Sequence, residues 1–207
     1  MMKELKRYLL NRFNEPLPGH RAQMILEPAM SYGRHRGPAP RDARRAAVML
    51  LLHVSDDEIT IPMVKRRDDL EFHAGEMAFP GGGLEDGESW EDAAIRECTE
   101  ETGINAAQIE IVGILTPMYV FGSRNLVMPI VGIGTRPPSY TVDKAEIERV
   151  VEVPLKAVGV DCISRTTRRL TGVDREVPCF KVKGQEIWGA SAMMLAELSA
   201  LMSDFSR

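Results

Sequence analysis

Residues 82–104 read Gly-Gly-Leu-Glu-Asp-Gly-Glu-Ser-Trp-Glu-Asp-Ala-Ala-Ile-Arg-Glu-Cys-Thr-Glu-Glu-Thr-Gly-Ile. A glycine-rich turn leads into a short helical pattern. Ser89 is placed to cap a helix over Trp90–Thr102, with Asp92 three residues on in capping-box position, and Gly103 ends it as a C′ residue. From Gly82 to Glu101 there are eight carboxylates (Glu85, Asp86, Glu88, Glu91, Asp92, Glu97, Glu100, Glu101) and one base, Arg96. Like charges at helical neighbour spacing destabilise a helix, so the cluster calls for a cation, and hard oxygen ligands suit Mg²⁺ or Mn²⁺. On the helix Glu97 and Glu101 share one face with Glu100 beside them, while Ala94, Ile95 and Cys98 gather on the roughly opposite side and point to a core. Arg96 is expected off the glutamate face, reaching back to Glu88 as a bidentate pair. Three glutamates alone would read as a solvated face; the glycines, the arginine and the fixed spacings turn the reading toward a site.

Strand signals flank this helix. The apolar run 46–54, the turn at Asp56-Asp57 and the segment 59–65 read as a hairpin. One proline and three glycines bend the chain sharply over 79–83. Segments 109–115 and 126–132 are apolar, β-branched strand candidates. Arg136-Pro137-Pro138 opens a loop, and 150–153 reads as a strand closed by Pro154. A late hairpin is expected over 179–182 and 186–188 around Lys183-Gly184, then a final helix over 191–202. At the other end, 3–13 reads as an amphipathic helix with Leu5, Leu9 and Phe13 at helical spacing, followed by a stretch punctuated by proline and glycine as far as Pro40. No internal repeat is present. Irregular alternation of strands and helices favours an α/β or α+β sandwich over a doubly wound parallel sheet.

The chain has 207 residues, enough for one domain with a sizeable core and extra segments. Its three cysteines, Cys98, Cys162 and Cys179, have no CxxC spacing and cannot all pair, which argues for a reducing compartment and against a disulfide framework or a zinc site. The apolar run 46–52 is too short to span a bilayer, and the first residues show no signal-peptide pattern. The expected location is cytoplasmic, without a membrane partner. Residues 1–45 hold ten Lys/Arg against four Asp/Glu, and the remainder sixteen against twenty-six. A basic arm on an acidic body can bind phosphate, nucleic acid or its own body; a solvated arm is the plainer reading, and nucleic acid is not the expected partner.

The pattern Gly82-x5-Glu88-x7-Arg96-Glu97-Cys98-x-Glu100-Glu101-x-Gly103-Ile104 resembles the Nudix box. It departs at Cys98, where that family usually has an aliphatic residue, and cysteine buries as a small hydrophobe. The resemblance implies the Nudix fold, an α/β/α sandwich around a mixed β-sheet; the expected division of the chain is a Nudix domain over 41–207, preceded by an N-terminal helix and irregular basic arm over 1–40. It also implies hydrolysis of a nucleoside diphosphate linked to another moiety, a small-molecule nucleotide. Carried over by position, Glu97 and Glu101 ligate the divalent metal, Glu100 does so directly or through water, the Gly81 carbonyl is a further ligand, and Arg96 and Glu88 form the structural pair. A pyrophosphate repels a nucleophile until cations neutralise it, and a general base adds about 10²–10⁴-fold. Family members frequently take that base from a loop after the box, where Glu146 and Glu148 stand here, Glu146 first.

A second segment, 66–82, resembles the coenzyme A pyrophosphatase pattern R-S-x-x-L-R-x-H-x-G-x-V-x-F-P-G-G. Arg66, Leu70, His73, Gly75, Phe79, Pro80, Gly81 and Gly82 agree; Arg67, Glu71 and Met77 stand where Ser, Arg and Val are usual. Leu115-Thr116-Pro117-Met118-Tyr119, Val153-Pro154-Leu155 and Ile187-Trp188-Gly189-Ala190-Ser191-Ala192 resemble further segments of that subfamily. The implied reaction cleaves coenzyme A to adenosine 3′,5′-bisphosphate and 4′-phosphopantetheine. The 3′-phosphate needs a basic pocket, for which Arg66, Arg67 and the cluster Arg41, Arg44 and Arg45 are candidates, with His73 at a phosphate. Phe121 or Tyr119 could stack on adenine, though core packing is the commoner use. The charge reversal at Glu71 keeps a second substrate class open: ADP-ribose, a dinucleotide or a nucleoside triphosphate. A third reading, a nucleotide sensor that binds nucleic acid through 34–45, is opposed by the intact glutamate set. The basic arm and its short apolar stripe make packing on a second subunit, hence a homodimer, an expectation.

Overall fold

The protein is described from a computed structural model covering residues 1–29, 37–70, 73–136, 138–170 and 172–205. In chain order its elements are α1 (Met2–Arg12), α2 (Gly19–Gln23), β1 (Arg44–Ser55), β2 (Glu58–Arg66), β3 (Met77–Ala78), β4 (Gly81–Gly83) and α3 (Trp90–Thr102). There follow β5 (Ile109–Ile114), β6 (Met118–Val120), β7 (Asn125–Gly134), β8 (Ile147–Pro154), β9 (Ile163–Leu170), β10 (Val173–Val182), β11 (Gln185–Trp188) and α4 (Gly189–Leu201).

The apolar run of β1 is buried on both faces, as a central strand requires. Ala47, Met49 and Leu51 pack with Ala93, Ala94 and Cys98 of α3, and Ala46, Leu50 and Leu52 pack on the opposite side. That opposite core also takes Leu5 and Leu9 of α1, Phe180 and Val182 of β10, and Leu195, Leu198 and Leu201 of α4. β1 and β2 are antiparallel across Asp56-Asp57, whose φ values of 49° and 60° suit a two-residue hairpin turn. β7 runs parallel to β1 from Arg44↔Asn125 to Leu52↔Ile133, with α3 in the crossover. The main sheet has the order β3-β2-β1-β7-β5, with β4 on β1, β6 on β7 and β8 on β2; a second sheet has the order β11-β10-β9. With α3 on one face and α1 and α4 on the other, the mixed sheet is the middle layer of the expected α/β/α sandwich.

The α3 boundaries follow the predicted chemistry. Ser89 Oγ accepts the Asp92 N–H (3.1 Å), a cap that contributes about 1 kcal/mol, and Gly103 adopts φ 74° in the left-handed region. The Asp92 carboxylate takes the Ser89 hydroxyl (2.7 Å). α2, β3, β4, β6, β9 and the first half of β10 were not anticipated: α2 lies in the stretch read as irregular and β4 in the sharp bend. β9 alternates between half-buried and exposed side chains, three of them arginine, and β10 begins with four exposed residues, Val173 to Glu176, so no apolar run marks this ribbon.

Described residues before 41 contribute to the core. Leu5, Leu9 and Leu26 are fully buried within it. Glu197 of α4, 0% exposed, accepts the Gly19 N–H (3.1 Å), Gln23 Nε2 (2.7 Å), the Thr116 N–H (3.2 Å) and Thr116 Oγ1 (2.7 Å). One buried carboxylate therefore joins α2, the β5–β6 turn and α4. Residues 30–36 of the basic arm, Glu71 and Phe72 of the second segment, and Pro137 lie outside the described residues. Among the described residues no helix is long and apolar enough to cross a membrane.

Candidate active site

Two carboxylates of α3 converge on neighbouring glycines of β4. Glu101, 7% exposed, accepts the Gly81 N–H at Oε2 (3.2 Å). Glu97 lies against Gly82 so closely that a Cβ there would meet its Oε1 at 2.3 Å and its Cδ at 2.4 Å. Glycine at 82 is thus a condition for this placement of Glu97. Burial raises the Glu97 carboxyl above its ordinary range and pushes Glu101 up to about 8, with Glu97 adding to the Glu101 shift. The charged forms of both groups are under-compensated where they stand.

Arg96 has two roles where one was expected. Its Nε and Nη2 grip Glu88 at 2.9 and 3.1 Å, and Nη2 also reaches the Gly83 carbonyl (3.0 Å). Its Nη1 binds Glu97 (2.9 Å) and Glu100 (3.2 Å). The expectation that Arg96 lies off the glutamate face is corrected: a guanidinium carries enough donors to serve loop and helix together. Glu100 is exposed and turned to Arg96. Among the described residues no three His, Cys, Asp or Glu groups already close on one point, so the three-glutamate set is not fully gathered.

Glu146 stands in this same field, adding to the upward shifts of both Glu97 and Glu101. Arg66 spans the gap, with Nη2 3.3 Å from Glu146 Oε2 and Nη1 3.9 Å from Glu101 Oε1. Glu148 is bound elsewhere, to Lys65 Nζ (2.5 Å) and to Arg149. Arg67 is engaged by Asp69 in a bidentate pair (2.7 and 2.5 Å) and by the Lys144 carbonyl (2.8 Å). His73, at φ 56°, bonds Glu76 through Nδ1 (2.8 Å), which raises its pKa.

The cluster at the start of β1 divides between surroundings. Arg45 stacks over Trp90 at 4.4 Å, whereas Arg44 bonds the Ser123 carbonyl (2.7 Å). Tyr119 is buried, and Phe121 is exposed on the following turn. Two features were not foreseen: the close fit of Gly82 to Glu97, and the docking of the loop before β8 on the end of α3. Three successive glycines hinted at the first; the second joins residues 39 and 42 apart and left no local mark.

The donor set at the convergence is all oxygen, and its buried carboxylates lack full compensation. Both facts fit a hard divalent cation, for which Glu97, Glu101, Glu100 and the Gly81 carbonyl are the available donors.

Comparison with known proteins gives consistent likenesses. The family model described as NUDIX domain matches residues 43–167. A Yersinia pestis protein named "Uncharacterized Nudix hydrolase NudL" is 32% identical over 163 residues, covering 77% of this chain and 80% of that protein. Its Yersinia pseudotuberculosis counterpart matches equally. Among solved structures, the Nudix hydrolase RenU of M. smegmatis superposes with a TM-score of 0.55 at 15% identity, over 80% of this chain and 89% of that one. The MutT protein of Methanosarcina mazei Go1 gives 0.52 at 18% identity, over 78% and 95%. At these identities the structures speak for the fold alone.

Proposed function

The chain belongs to the Nudix family, a pyrophosphohydrolase acting on nucleotide-linked compounds, and we propose that its substrate is coenzyme A or a derivative. The products are then adenosine 3′,5′-bisphosphate and 4′-phosphopantetheine. The observation that carries the catalytic reading is the approach of Glu97 and Glu101 to Gly82 and Gly81. Support for coenzyme A comes from the agreement of segment 66–82 with the pattern of coenzyme A pyrophosphatases.

Nudix hydrolases generally need a divalent cation. Here Glu97 and Glu101 would hold Mg²⁺ or Mn²⁺, with Glu100 and the Gly81 carbonyl as further donors; the ion would neutralise the pyrophosphate and polarise phosphorus. Glu146 takes the proton of the attacking water. Its place across Arg66 from Glu101 favours it over Glu148, which pairs instead with Lys65 and Arg149. Arg96 keeps the loop at Glu88 fixed to α3, so the carboxylates it also bonds are aligned before substrate arrives.

A second substrate class has its own support. Arg67 is neutralised by Asp69, and Glu71 stands where the coenzyme A pattern has Arg. Both favour a substrate without the 3′-phosphate, such as ADP-ribose. Incubation with Mg²⁺ or Mn²⁺ and a panel of coenzyme A, ADP-ribose, a dinucleoside polyphosphate and a nucleoside triphosphate, with products identified by mass, separates the readings. Coenzyme A turned over best supports the proposal; turnover of the others alone selects the second class; tight binding without turnover of any removes the hydrolytic reading.

A further inference from the structure

Glu146 ends an irregular loop between β7 and β8, and a carboxylate on such a loop must be held before it can take a proton at a defined point. The loop backbone is first docked on the end of α3. The Thr141 N–H donates to the Thr102 carbonyl (2.8 Å) and the Asp143 N–H to the Glu101 carbonyl (3.3 Å), filling two of the helix's unpaired acceptors. Gly103 permits this, since a Cβ there would lie 2.8–2.9 Å from atoms of Thr141. The Glu146 main chain is then tied at both ends, its N–H to the Asp143 carbonyl (3.3 Å) and its carbonyl to the Arg67 N–H (3.0 Å).

Only the carboxylate remains to be fixed, and Arg66 meets it. The β2–β8 register slips at this point: Lys65 pairs with Arg149 and Arg66 with Ile147, leaving Glu148 as the extra residue. Such a bulge re-aims neighbouring side chains. Lys65 takes Glu148, and Arg66 turns to Glu146 (3.3 Å) while facing Glu101 (3.9 Å). We propose that Arg66 is a positioning residue that fixes the Glu146 carboxylate beside Glu101, in place of the phosphate-gripping role its sequence position implied. This rests on Glu146 as the base.

The test is a double-mutant cycle of Arg66→Gln and Glu146→Gln at saturating Mg²⁺, with Arg66→Lys as the conservative variant. Misplacing the base by about 1 Å should lower kcat in Arg66→Gln by about 10²-fold, with KM changed less than about threefold. In the Glu146→Gln background the same change should cost less than about threefold more, and Arg66→Lys should recover part of the lost kcat. Calorimetric Mn²⁺ affinity of Arg66→Gln should be unchanged or tighter, because a cation beside Glu101 has gone. A KM effect without a kcat effect, additive losses in the double variant, or Mn²⁺ binding weakened by about tenfold or more each overturn the proposal. Wild-type kcat in Glu146→Gln alone would instead overturn the general-base reading beneath it, so the two failures are told apart. Should Arg66→Gln not fold by circular dichroism, Arg66→Lys alone and in the Glu146→Gln background gives the same comparison.

Discussion

Gly82→Ala should separate activity from stability. A Cβ at Gly82 would lie 2.3, 2.7 and 2.4 Å from Oε1, Oε2 and Cδ of Glu97, where ordinary contact begins at 3.4 Å. The carboxylate must therefore withdraw by about 1 Å, and a 1 Å misplacement costs about 10²-fold in rate, or about 2.7 kcal/mol of transition-state stabilisation. The clash is with the far end of a flexible side chain, and Gly82 does not occupy the left-handed region, so the backbone need not move. A glycine-to-alanine change at a compatible site gains about 0.4–1 kcal/mol through the unfolded chain, which offsets the local strain. The melting temperature should then stay within about 4 °C of wild type. Gly83→Ala is the internal control, since a Cβ there has nothing nearer than the Arg45 carbonyl at 3.9 Å. Steady-state kcat/KM by product mass, beside calorimetric melting, reads both effects. If Gly82→Ala and Gly83→Ala both keep kcat/KM within about threefold of wild type, the seat of Glu97 on Gly82 is not the working geometry.

Four further outcomes are expected. Glu97→Gln and Glu101→Gln should each lose most activity while keeping a wild-type circular dichroism spectrum, and full turnover in either removes it from the cation's donor set. Glu197→Ala leaves four donors unanswered in the core and should destabilise by about 3–5 kcal/mol; a urea midpoint close to wild type would refute the clasp. Burial works to raise the pKa of Glu152, but hydrogen bonds from His53, Tyr140 and Thr60 outweigh it and hold the group at about 2, below its ordinary 4.5. A depressed carboxylate stabilises above its unfolded value and loses that contribution as pH falls through the folded one. Wild type should therefore lose stability between about pH 4.5 and 2 more steeply than Glu152→Gln, and parallel urea curves would contradict this. Arg67→Ala should raise KM for coenzyme A more than for a substrate lacking the 3′-phosphate; an equal rise in both removes that role, and no rise in either assigns Arg67 to Asp69 alone.

The parts legible in the sequence are those set by local chemistry. Ser89 and Gly103 mark the ends of α3 because capping and left-handed φ are single-residue properties. The run 46–54 marks β1 because a strand buried on both faces must be continuously apolar. The bond between Arg96 and Glu88 was legible because loop and helix are eight residues apart. Long-range choices were not. Arg66 has carboxylates 35 and 80 residues away, and nothing nearby says that it prefers them to a substrate. The second bond of Arg96, to Glu97 and Glu100, depends on which way a flexible side chain turns. β9 escaped notice because Arg165, Arg168 and Arg169 are satisfied by Glu176, Glu186 and Asp174 from neighbouring strands. Nothing local to the final helix marks Glu197, because its four donors come from two other segments.

Hydrolysis of coenzyme A in ¹⁸O-labelled water, with Mg²⁺ and with a chelator in parallel, addresses the central claim most directly. The account predicts adenosine 3′,5′-bisphosphate and 4′-phosphopantetheine in equal amounts, one of them carrying a single ¹⁸O, and neither product when the cation is chelated. Intact coenzyme A in both reactions, or release of inorganic phosphate in place of that pair, would contradict it.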